Sequence, residues 1–306
     1  MLKLQQTTSH SGNKTEKNAI RKEEKHMYRI VTKTALKPTV ILYEIEAPMV
    51  AKKAQPGQFI ILRVDENGER IPITIHDYDR EKGTITIIVQ TIGATTEKLS
   101  HKAEGECLHD FVGPLGKPTE TEGKKKVCVV GGGVGCAIAY PVLKKFHDCG
   151  AEVHAVVGFK NKDVVILEDK FKAVSSVLKV CTDDGSYGQK GMVTDALKEL
   201  LDAGNVYDEI FAIGPMVMMK FVSKTTEPYG IPTTVSMSPI MIDGTGMCGG
   251  CRLSVGGETK FACVDGPDFD GHKVDWDIAV KRNQMYRDFE AHKHEEVCNL
   301  FKKEVK

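Results

Sequence analysis

Residues 125–146, KKVCVVGGGVGCAIAYPVLKKF, decide the fold. A short buried-strand pattern ends at Val130, residues 131–135 are four glycines and one valine, and a helical pattern runs from Ala137 to Phe146. Glycines between a strand and a helix allow a tight turn, and the N-terminus of a helix attracts phosphate. Because Cys136 stands where G-x-G-x-x-G has its third glycine, this stretch alone is equally compatible with a purely structural turn.

Downstream of this stretch, strand and helix patterns alternate up to about residue 238. The runs are AEVHAVVGF, VILEDKFKAV, SVLKVCTDD, MVTDALKELL, YDEIFAIG and MVMMKFVSKT. Such alternation predicts a parallel sheet with crossover helices over residues 123–238. Glycine-bearing loops at three strand ends favour a nucleotide site at that edge of the sheet. The candidate residues are Gly131, Gly132, Gly133, Val134, Gly135, Asp183, Asp184, Gly214 and Pro215.

Upstream, residues 27–122 contain short β-rich runs separated by turn residues: YRIVTKTAL, TVILYEIEA, GQFIILRV, IPITIHDYD and GTITIIVQTI. Several strands at this spacing predict a small antiparallel barrel or sandwich. Two segments of this domain could hold a cofactor. A strand edge with a threonine suits a flavin ring, and a helix N-terminus with threonine hydroxyls suits a diphosphate. The residues concerned are Arg70, Pro72, Ile73 and Thr74, and Gly93, Ala94, Thr95 and Thr96; by themselves they are compatible with an ordinary strand and an ordinary cap.

A Gly- and Cys-rich region, residues 239–275, follows the parallel-sheet domain. The spacing Cys248-x2-Cys251-x11-Cys263 is typical of an iron–sulfur loop, where backbone N–H groups approach the sulfurs. Such a cluster has four ligands, and Asp243 stands where Cys-x4-Cys-x2-Cys would place the missing cysteine. The pattern therefore predicts a [2Fe–2S] cluster with Asp243 as the fourth ligand. Zinc bound by three cysteines and an aspartate is the main alternative, and a loop with chance cysteines is the other.

The composition narrows the class of protein. The chain has 306 residues, with 42 Lys+Arg against 42 Asp+Glu, so there is no basic surplus for nucleic acid, and no apolar run predicts a membrane span. Its nine cysteines, mostly scattered, favour a reducing cytoplasm over a disulfide framework. We expect residues 1–26 to be a disordered tail and residues 276–306 a charged helical tail. The histidines, including the His292-x-His294 pair, are interpreted as solvated or structural.

Taken together, these motifs resemble a known family over almost the whole chain from Met27. RIPIT, GATT, GGGVG, TDDGSYG, GPMVMM and a C-terminal cysteine loop occur here in the order seen in ferredoxin–NADP reductase-type flavoproteins that carry their own [2Fe–2S] loop. Within that group, residues 241–272 are similar to the small (alpha) subunits of NADH-dependent reduced ferredoxin:NADP+ oxidoreductases. The electron-transfer subunits of dihydroorotate dehydrogenase are similar too, but have a fourth cysteine at the position of Asp243.

The resemblance implies FAD in the barrel. Pro72, Ile73 and Thr74 would lie along the isoalloxazine, and residues 93–96 at the pyrophosphate. Arg70 would be the pyrophosphate arginine of the family's Arg-x-x-Ser/Thr pattern, although it lies four residues before Thr74 instead of three. NAD(H) would lie across the three glycine-bearing loops. NADP-selective relatives have Ser and Arg near the position of Asp183 and Asp184; two carboxylates repel a 2′-phosphate, so NAD(H) is predicted over NADP(H).

The implied activity is that of an electron-transfer flavoprotein subunit. It would exchange electrons between NAD(H), FAD and the cluster as part of a ferredoxin:NADP+ oxidoreductase complex. The expected partner is a larger flavin and [4Fe–4S] subunit, through which ferredoxin is reached; neither nucleic acid nor a membrane is expected. The alternatives are an electron-transfer subunit of dihydroorotate dehydrogenase or a hydrogenase and, from another class, a zinc-bound nucleotide-sensing module.

Overall fold

The structure, a computed structural model, describes residues 28–304. The tail predicted at residues 1–26 lies outside the described residues. Between residues 28 and 304, no helix combines the length and the apolar character that a bilayer crossing needs.

The first part of the described chain, hereafter the barrel, consists of two antiparallel sheets around one core. The four-stranded sheet has the order β1-β2-β6-β5, and the three-stranded sheet has the order β4-β3-β7. The strands are β1 (Ile30–Lys37), β2 (Val40–Glu46), β3 (Phe59–Arg63), β4 (Ile71–Thr74), β5 (Asp77–Asp79), β6 (Thr84–Gln90) and β7 (Asp110–Leu115). A one-turn helix, α1 (Pro48–Ala51), follows β2, and α2 (Ala94–His101) follows β6.

Alternating apolar residues direct one face of each sheet into this core. In β2, Tyr43 and Ile45 are buried while Glu44 and Glu46 between and after them are partly exposed, the period of two that a half-buried strand requires. The Tyr43 hydroxyl donates a hydrogen bond to the Leu99 carbonyl at 3.1 Å, which ties α2 to the sheet. The polar end of a buried tyrosine is thereby satisfied.

The second part contains a seven-stranded sheet with the order β11-β10-β9-β8-β12-β13-β16, in which β16 (Asp268–Asp270) comes from the last part of the chain. All neighbouring pairs are parallel except β13 with β16, which pair antiparallel. Its elements are β8 (Lys126–Gly132), α3 (Cys136–Asp148), β9 (Glu152–Phe159), α4 (Glu168–Val174), β10 (Val177–Thr182), β11 (Gln189–Lys190), α5 (Val193–Asp202), β12 (Glu209–Ile213), α6 (Met216–Thr226) and β13 (Thr233–Ser236).

Strand β8 is apolar on both faces because helices cover both sides of the sheet. Val127 and Val129 point into the core shared with α3, whereas Cys128 and Val130 point into the core shared with α5 and α6. This explains why its sequence is a continuous apolar run rather than an alternating one.

The last part of the chain packs onto both preceding parts. It contains the hairpin β14 (Arg252–Val255) and β15 (Glu258–Phe261), the edge strand β16 (Asp268–Asp270), and helices α7 (Trp276–Asn283) and α8 (Arg287–Glu304). Strand β16 extends the large sheet, so the cysteine-rich region supplies an antiparallel edge that strand–helix alternation did not predict. Helix α7 packs against α6, and α8 packs against α2.

Candidate functional site

A cavity of about 300 Å³ lies between the antiparallel sheets and the seven-stranded sheet. Among the predicted flavin residues, Pro72, Ile73, Thr74 and Thr96 line it. From the part of the chain that contains the seven-stranded sheet, Val134 of the glycine loop and Ala137 of α3 also line it. The same space is therefore bounded by the strand edge, the α2 N-terminus and the glycine loop that the sequence singled out.

Strand β4 is an edge strand and presents backbone groups beside the cavity. It pairs on one side with β3, Thr74 lying opposite Phe59 and Pro72 opposite Ile61. The other side of an edge strand has unpaired N–H and C=O groups. These groups and the Thr74 hydroxyl can satisfy the polar edge of a planar ring, so the residues present fit a flavin.

Helix α2 begins at the cavity with Gly93 as its N-cap. The Thr96 hydroxyl oxygen accepts hydrogen bonds from the backbone N–H groups of Ile92, at 3.1 Å, and Gly93, at 3.0 Å. Thr95 is buried. Because Thr96 already caps the chain, the donors left for a phosphate are the backbone N–H groups of the first turn, which have no partner inside a helix.

His76 also lines the cavity and was not among the predicted site residues. Its ring is almost fully buried and stacks at 5.6 Å on Tyr140 of α3. The Nδ1 atom lies 2.7 Å from the Ala137 carbonyl, so Nδ1 carries the proton and donates it. Burial lowers the pKa of His76, which outweighs the opposing effect of the Ala137 hydrogen bond. A neutral His76 thus joins the barrel to the first turn of α3.

Arg70 is placed differently from the other predicted flavin residues and is not among those lining the cavity. Its Nε donates to the carbonyl of Ile242 at 2.9 Å, and its Nη1 lies 3.2 Å from a carboxylate oxygen of Asp110. Asp110 also pairs with Arg63 at 2.8 Å. In this arrangement Arg70 connects the barrel to the start of the cysteine loop.

The glycine loops after β8 and β12 meet backbone to backbone. A Cβ added at Gly135 would lie 2.7 Å from the Gly214 Cα and 2.7 Å from the Ile213 carbonyl oxygen. Gly133 has a φ of +55° and faces open space. The neighbouring strands β8 and β12 are parallel, so both loops emerge at the carboxyl-end edge where such sheets bind nucleotides.

The third predicted nucleotide loop follows β10, two strands away from β8. Asp184 accepts a hydrogen bond from the backbone N–H of Ser186 at 2.9 Å. Hydrogen bonds from Ser186 lower the pKa of Asp184, so this carboxylate is negative at neutral pH. The Asp183 backbone is held by the Phe159 carbonyl at 3.0 Å. The loop therefore presents negative charge at the same sheet edge as the glycine loops.

The three clustered cysteines lie near the hairpin β14–β15. Cys251 and Cys263 are buried with their sulfurs 3.3 Å apart, and Cys248 is exposed. The Gly250 N–H points to the Cys248 sulfur at 3.5 Å and lowers the pKa of that thiol. Burial raises the pKa of Cys263 to about 12, so its thiolate needs a compensating cation. This donor set fits a metal centre with sulfur ligands.

Asp243 precedes these cysteines on the same loop and is partly exposed. One carboxylate oxygen accepts hydrogen bonds from the Thr245 hydroxyl at 2.5 Å and from the backbone N–H groups of Thr245, at 2.9 Å, and Met247, at 3.3 Å. These bonds lower the pKa of Asp243, the Thr245 hydroxyl contributing most. Because one oxygen makes all three bonds, the other remains available as a ligand.

The cavity and the cysteine loop adjoin each other along the chain. Met241 lines the cavity, and Asp243 follows two residues later. Ser236, Met237, Ser238 and Pro267 also line the cavity, although none was among the predicted site residues. The position of Ser236 at the carboxyl end of strand β13 was the available signal, because ligands bind at that end of parallel strands.

Comparison with known proteins identifies the family. Residues 238–275 match the model described as the iron–sulfur cluster binding domain of dihydroorotate dehydrogenase B. The chain is 47% identical over 266 residues to a dihydroorotate dehydrogenase B (NAD(+)) electron transfer subunit homolog of Thermotoga maritima, covering 87% of this chain and 94% of the relative. It belongs to the family of dihydroorotate dehydrogenase B electron-transfer subunits and their homologues. The family makes it an oxidoreductase electron-transfer subunit.

A solved structure carries the comparison further. A chain from the structure of the NADH-dependent reduced ferredoxin-NADP oxidoreductase, determined in work on flavin-based electron bifurcation, superposes with a TM-score of 0.84 at 46% identity. The match covers 88% of this chain and 97% of the other. The resemblance, the fold class and the cofactor set predicted from the sequence, FAD, an iron–sulfur cluster and NAD(H), are confirmed.

Two further proteins are similar to this chain. An uncharacterized protein in the adh 3′ region of Clostridium beijerinckii is 54% identical over 269 residues, covering 85% of this chain and 91% of that protein. A cytochrome P450 reductase of Amycolatopsis superposes with a TM-score of 0.57 at 18% identity, a likeness that concerns the fold alone.

Proposed function

We propose that this chain is the small subunit of an NADH-dependent reduced ferredoxin:NADP+ oxidoreductase complex. The observation that carries the proposal is the continuity of the three sites. One cavity is bounded by β4, the α2 N-terminus and the glycine loop, and the chain runs directly from Met241 in that cavity to Asp243 and the cysteines. Such a layout suits transfer of electrons between a nicotinamide, a flavin and a cluster without any acid–base or nucleophilic group of the protein.

On the barrel side, the protein's task is to position FAD. The unpaired edge of β4 and the Thr74 hydroxyl would orient the ring, while the first-turn N–H groups of α2 would bind the pyrophosphate. Neutral His76 donates a hydrogen bond to the Ala137 carbonyl and so holds the barrel to α3. This contact keeps the two sides of the cavity at a fixed separation. When bound, FAD would accept hydride from the nicotinamide, and the cluster would transfer single electrons.

On the nucleotide side, the site favours NADH over NADPH. The open Gly133 backbone and the close contact of the β8 and β12 loops leave room for a pyrophosphate at the α3 N-terminus. The ionised Asp184 and neighbouring Asp183 would accept hydrogen bonds from ribose hydroxyls and repel a 2′-phosphate.

In the cysteine loop, we assign the ligands in two pairs. Cys251 and Cys263 would share one iron of a [2Fe–2S] cluster because their sulfurs are 3.3 Å apart, and Asp243 and Cys248 would hold the other. The Asp243 ligand favours the ferredoxin:NADP+ oxidoreductase complex over dihydroorotate dehydrogenase, whose electron-transfer subunits have a cysteine there.

The proposal includes a partner and a compartment. An electron-transfer subunit requires a further subunit, and we propose the larger flavin and [4Fe–4S] subunit, which would connect this chain to ferredoxin and NADP+. All nine cysteines are free in the structure, which supports a reducing cytoplasm.

The test is anaerobic reduction of the purified chain followed by absorption and electron paramagnetic resonance spectroscopy. NADH is expected to bleach the flavin bands and then produce the signal of a reduced [2Fe–2S] cluster, at a rate well above that with NADPH. A preference for NADPH would contradict the nucleotide assignment. A colourless protein containing zinc instead of iron would support a nucleotide-sensing module and contradict the assignment of this chain as an electron-transfer enzyme subunit.

The identity of the complex is tested by co-purification from the native cells. Recovery of a larger flavin and [4Fe–4S] subunit, together with NADH- and ferredoxin-dependent reduction of NADP+, is the expected result. Recovery of a dihydroorotate-oxidising subunit or a hydrogenase subunit would reassign the chain to that complex.

A further inference from the structure

Helices α2 and α8 bring together three side chains of metal-ligating type at a distance from the cysteine loop. A carboxylate oxygen of Glu97, a ring nitrogen of His294 and the Cys298 sulfur all lie within 4.8 Å of one another. Glu97 belongs to α2, whereas His294 and Cys298 are four residues apart on α8 and so share one face of that helix. The packing of α8 on α2 therefore assembles this cluster from segments about two hundred residues apart in sequence.

The His294 ring shows an unmet bonding requirement. Its Nε2 atom is buried and makes no hydrogen bond, and the nearest carboxylate oxygen, Oε2 of Glu97, is 3.6 Å away. That separation is too long for a hydrogen bond, and a buried nitrogen without a partner is destabilising. Two ligands on one tetrahedral zinc ion, each bonded at about 2.0–2.1 Å, lie about 3.3 Å apart. A metal ion between Glu97 and His294 would satisfy the nitrogen with only a small movement.

The neighbouring residues orient the carboxylate. The other oxygen of Glu97 is held by Nε2 of His101 at 3.2 Å, one turn further along α2. The His101 ring in turn stacks on Phe301 of α8, with ring centroids 3.7 Å apart. Such outer contacts fix the orientation of a ligand and tune its affinity for a metal. All three ligands are partly buried, which leaves an opening for an ion to enter.

We propose that Glu97, His294 and Cys298 bind a zinc-type divalent cation that fastens α8 to α2. One thiolate, one imidazole and one carboxylate form a mixed set that suits zinc, with water as the fourth ligand. The first turn of α2 lines the flavin cavity through Thr96, so the ion fastens the C-terminal helix to an element of that cavity. The site is separate from Asp243 and the clustered cysteines and does not depend on the proposed activity.

The test uses the full chain with its flavin and a complete cluster, washed with chelator and then supplied with zinc chloride. X-ray absorption at the zinc edge is specific to zinc and unaffected by the cluster iron. The expected result is one zinc per chain, with a single sulfur neighbour at about 2.3 Å and the remaining neighbours nitrogen or oxygen at about 2.0–2.2 Å. Hydrogen exchange of α8 should slow as zinc is added, since ligand binding stabilises the docked state.

Two variants and a control decide the assignment. Cys298→Ser should remove the sulfur neighbour and weaken zinc binding at least about tenfold, whereas Cys298→His should keep zinc with nitrogen in place of sulfur. Cys149→Ser removes an exposed free cysteine elsewhere and should change nothing. Failure of the wild type to retain zinc, persistence of the sulfur neighbour in Cys298→Ser, or several sulfur neighbours would each overturn the proposal, the last because it would place zinc at the clustered cysteines.

Discussion

Asp243 is the single residue on which the choice between related complexes depends. Hydrogen bonds that Thr245 and Met247 donate to one oxygen lower the pKa of its carboxyl group, and they also set its direction within the loop. A carboxylate is a harder ligand than a thiolate, so it changes the electronic properties of an iron that it binds. The residue identity was readable in the sequence, whereas the bonding that orients it was not.

The first prediction concerns Asp243→Cys. If Asp243 is a ligand, the variant acquires an all-cysteine set, retains iron, and changes both its absorption spectrum and its cluster potential, because potential follows ligand type. Redox titration monitored by electron paramagnetic resonance measures the change. The matched control is Asp265→Asn, which keeps an oxygen acceptor for the Phe261 N–H, bonded at 2.7 Å, and should leave the absorption spectrum unaltered because it changes a nearby charge but no ligand. An unchanged spectrum and potential in Asp243→Cys would remove Asp243 from the ligand set.

At the scale of elements, the nucleotide edge depends on how closely the β8 and β12 loops approach. A Cβ at Gly135 collides with the backbone at Gly214 and Ile213, and backbone cannot rotate away as a side chain can. Packing between the two loops therefore requires a glycine at position 135. The glycine-rich sequence did not show which of its glycines has this role.

The second prediction is that Gly135→Ala separates these loops. Overpacking of this kind costs about 1–3 kcal/mol in the free energy of unfolding, and displacement of the loops should weaken NADH binding by about tenfold or more. Chemical denaturation and NADH titration measure the two effects. Gly204→Ala is the control, since its φ of +85° costs alanine about 1–2 kcal/mol at a site after α5, away from the loops. Equal losses of NADH affinity in both variants would mean that the effect is only global destabilisation.

At the scale of the whole molecule, contacts between the three parts of the chain build the site. His76 joins the barrel to α3, Arg70 joins the barrel to the Ile242 carbonyl, and β16 joins the cysteine region to the large sheet. The cavity exists only because the barrel packs against the part of the chain that contains the large sheet.

The third prediction distinguishes two roles for Arg70. In the structure it bonds to Ile242 and Asp110, so Arg70→Met should cost about 0.5–1.5 kcal/mol in the free energy of unfolding and speed hydrogen exchange in the cysteine loop. FAD affinity should stay nearly constant. Arg70→Lys keeps the positive charge and is the control that separates loss of charge from loss of the guanidinium hydrogen bonds. If Arg70→Met instead lowers FAD affinity by tenfold or more while loop exchange is unaltered, Arg70 contacts the pyrophosphate, as the resemblance implied.

Much of this protein was accessible from local patterns. The strand–glycine–helix stretch at residues 125–146 and the strand–helix alternation after it predicted the parallel sheet, because such patterns depend on residues close together in sequence. The order of motifs predicted the family through its resemblance to known members. His76, interpreted from the sequence as solvated or structural, has a structural role, but its place beside the cavity was not visible: an isolated histidine on a β-strand pattern looks the same whether it faces solvent or a cavity. The antiparallel β16 was missed because three residues are too few to show a period.

What the sequence determined by itself is the fold class, which short-range periodicity encodes, and, through the resemblance of its motifs to those of a known family, the family and the cofactor types. What only the tertiary structure decided is which groups meet across long separations in sequence. Met241 lines the same cavity as strand β4, Arg70 donates a hydrogen bond to the Ile242 carbonyl, and Glu97 lies beside His294 and Cys298. Such contacts arise from the packing of whole elements. No local pattern records them, because side chains far apart along the chain become neighbours only when the cores between them are assembled.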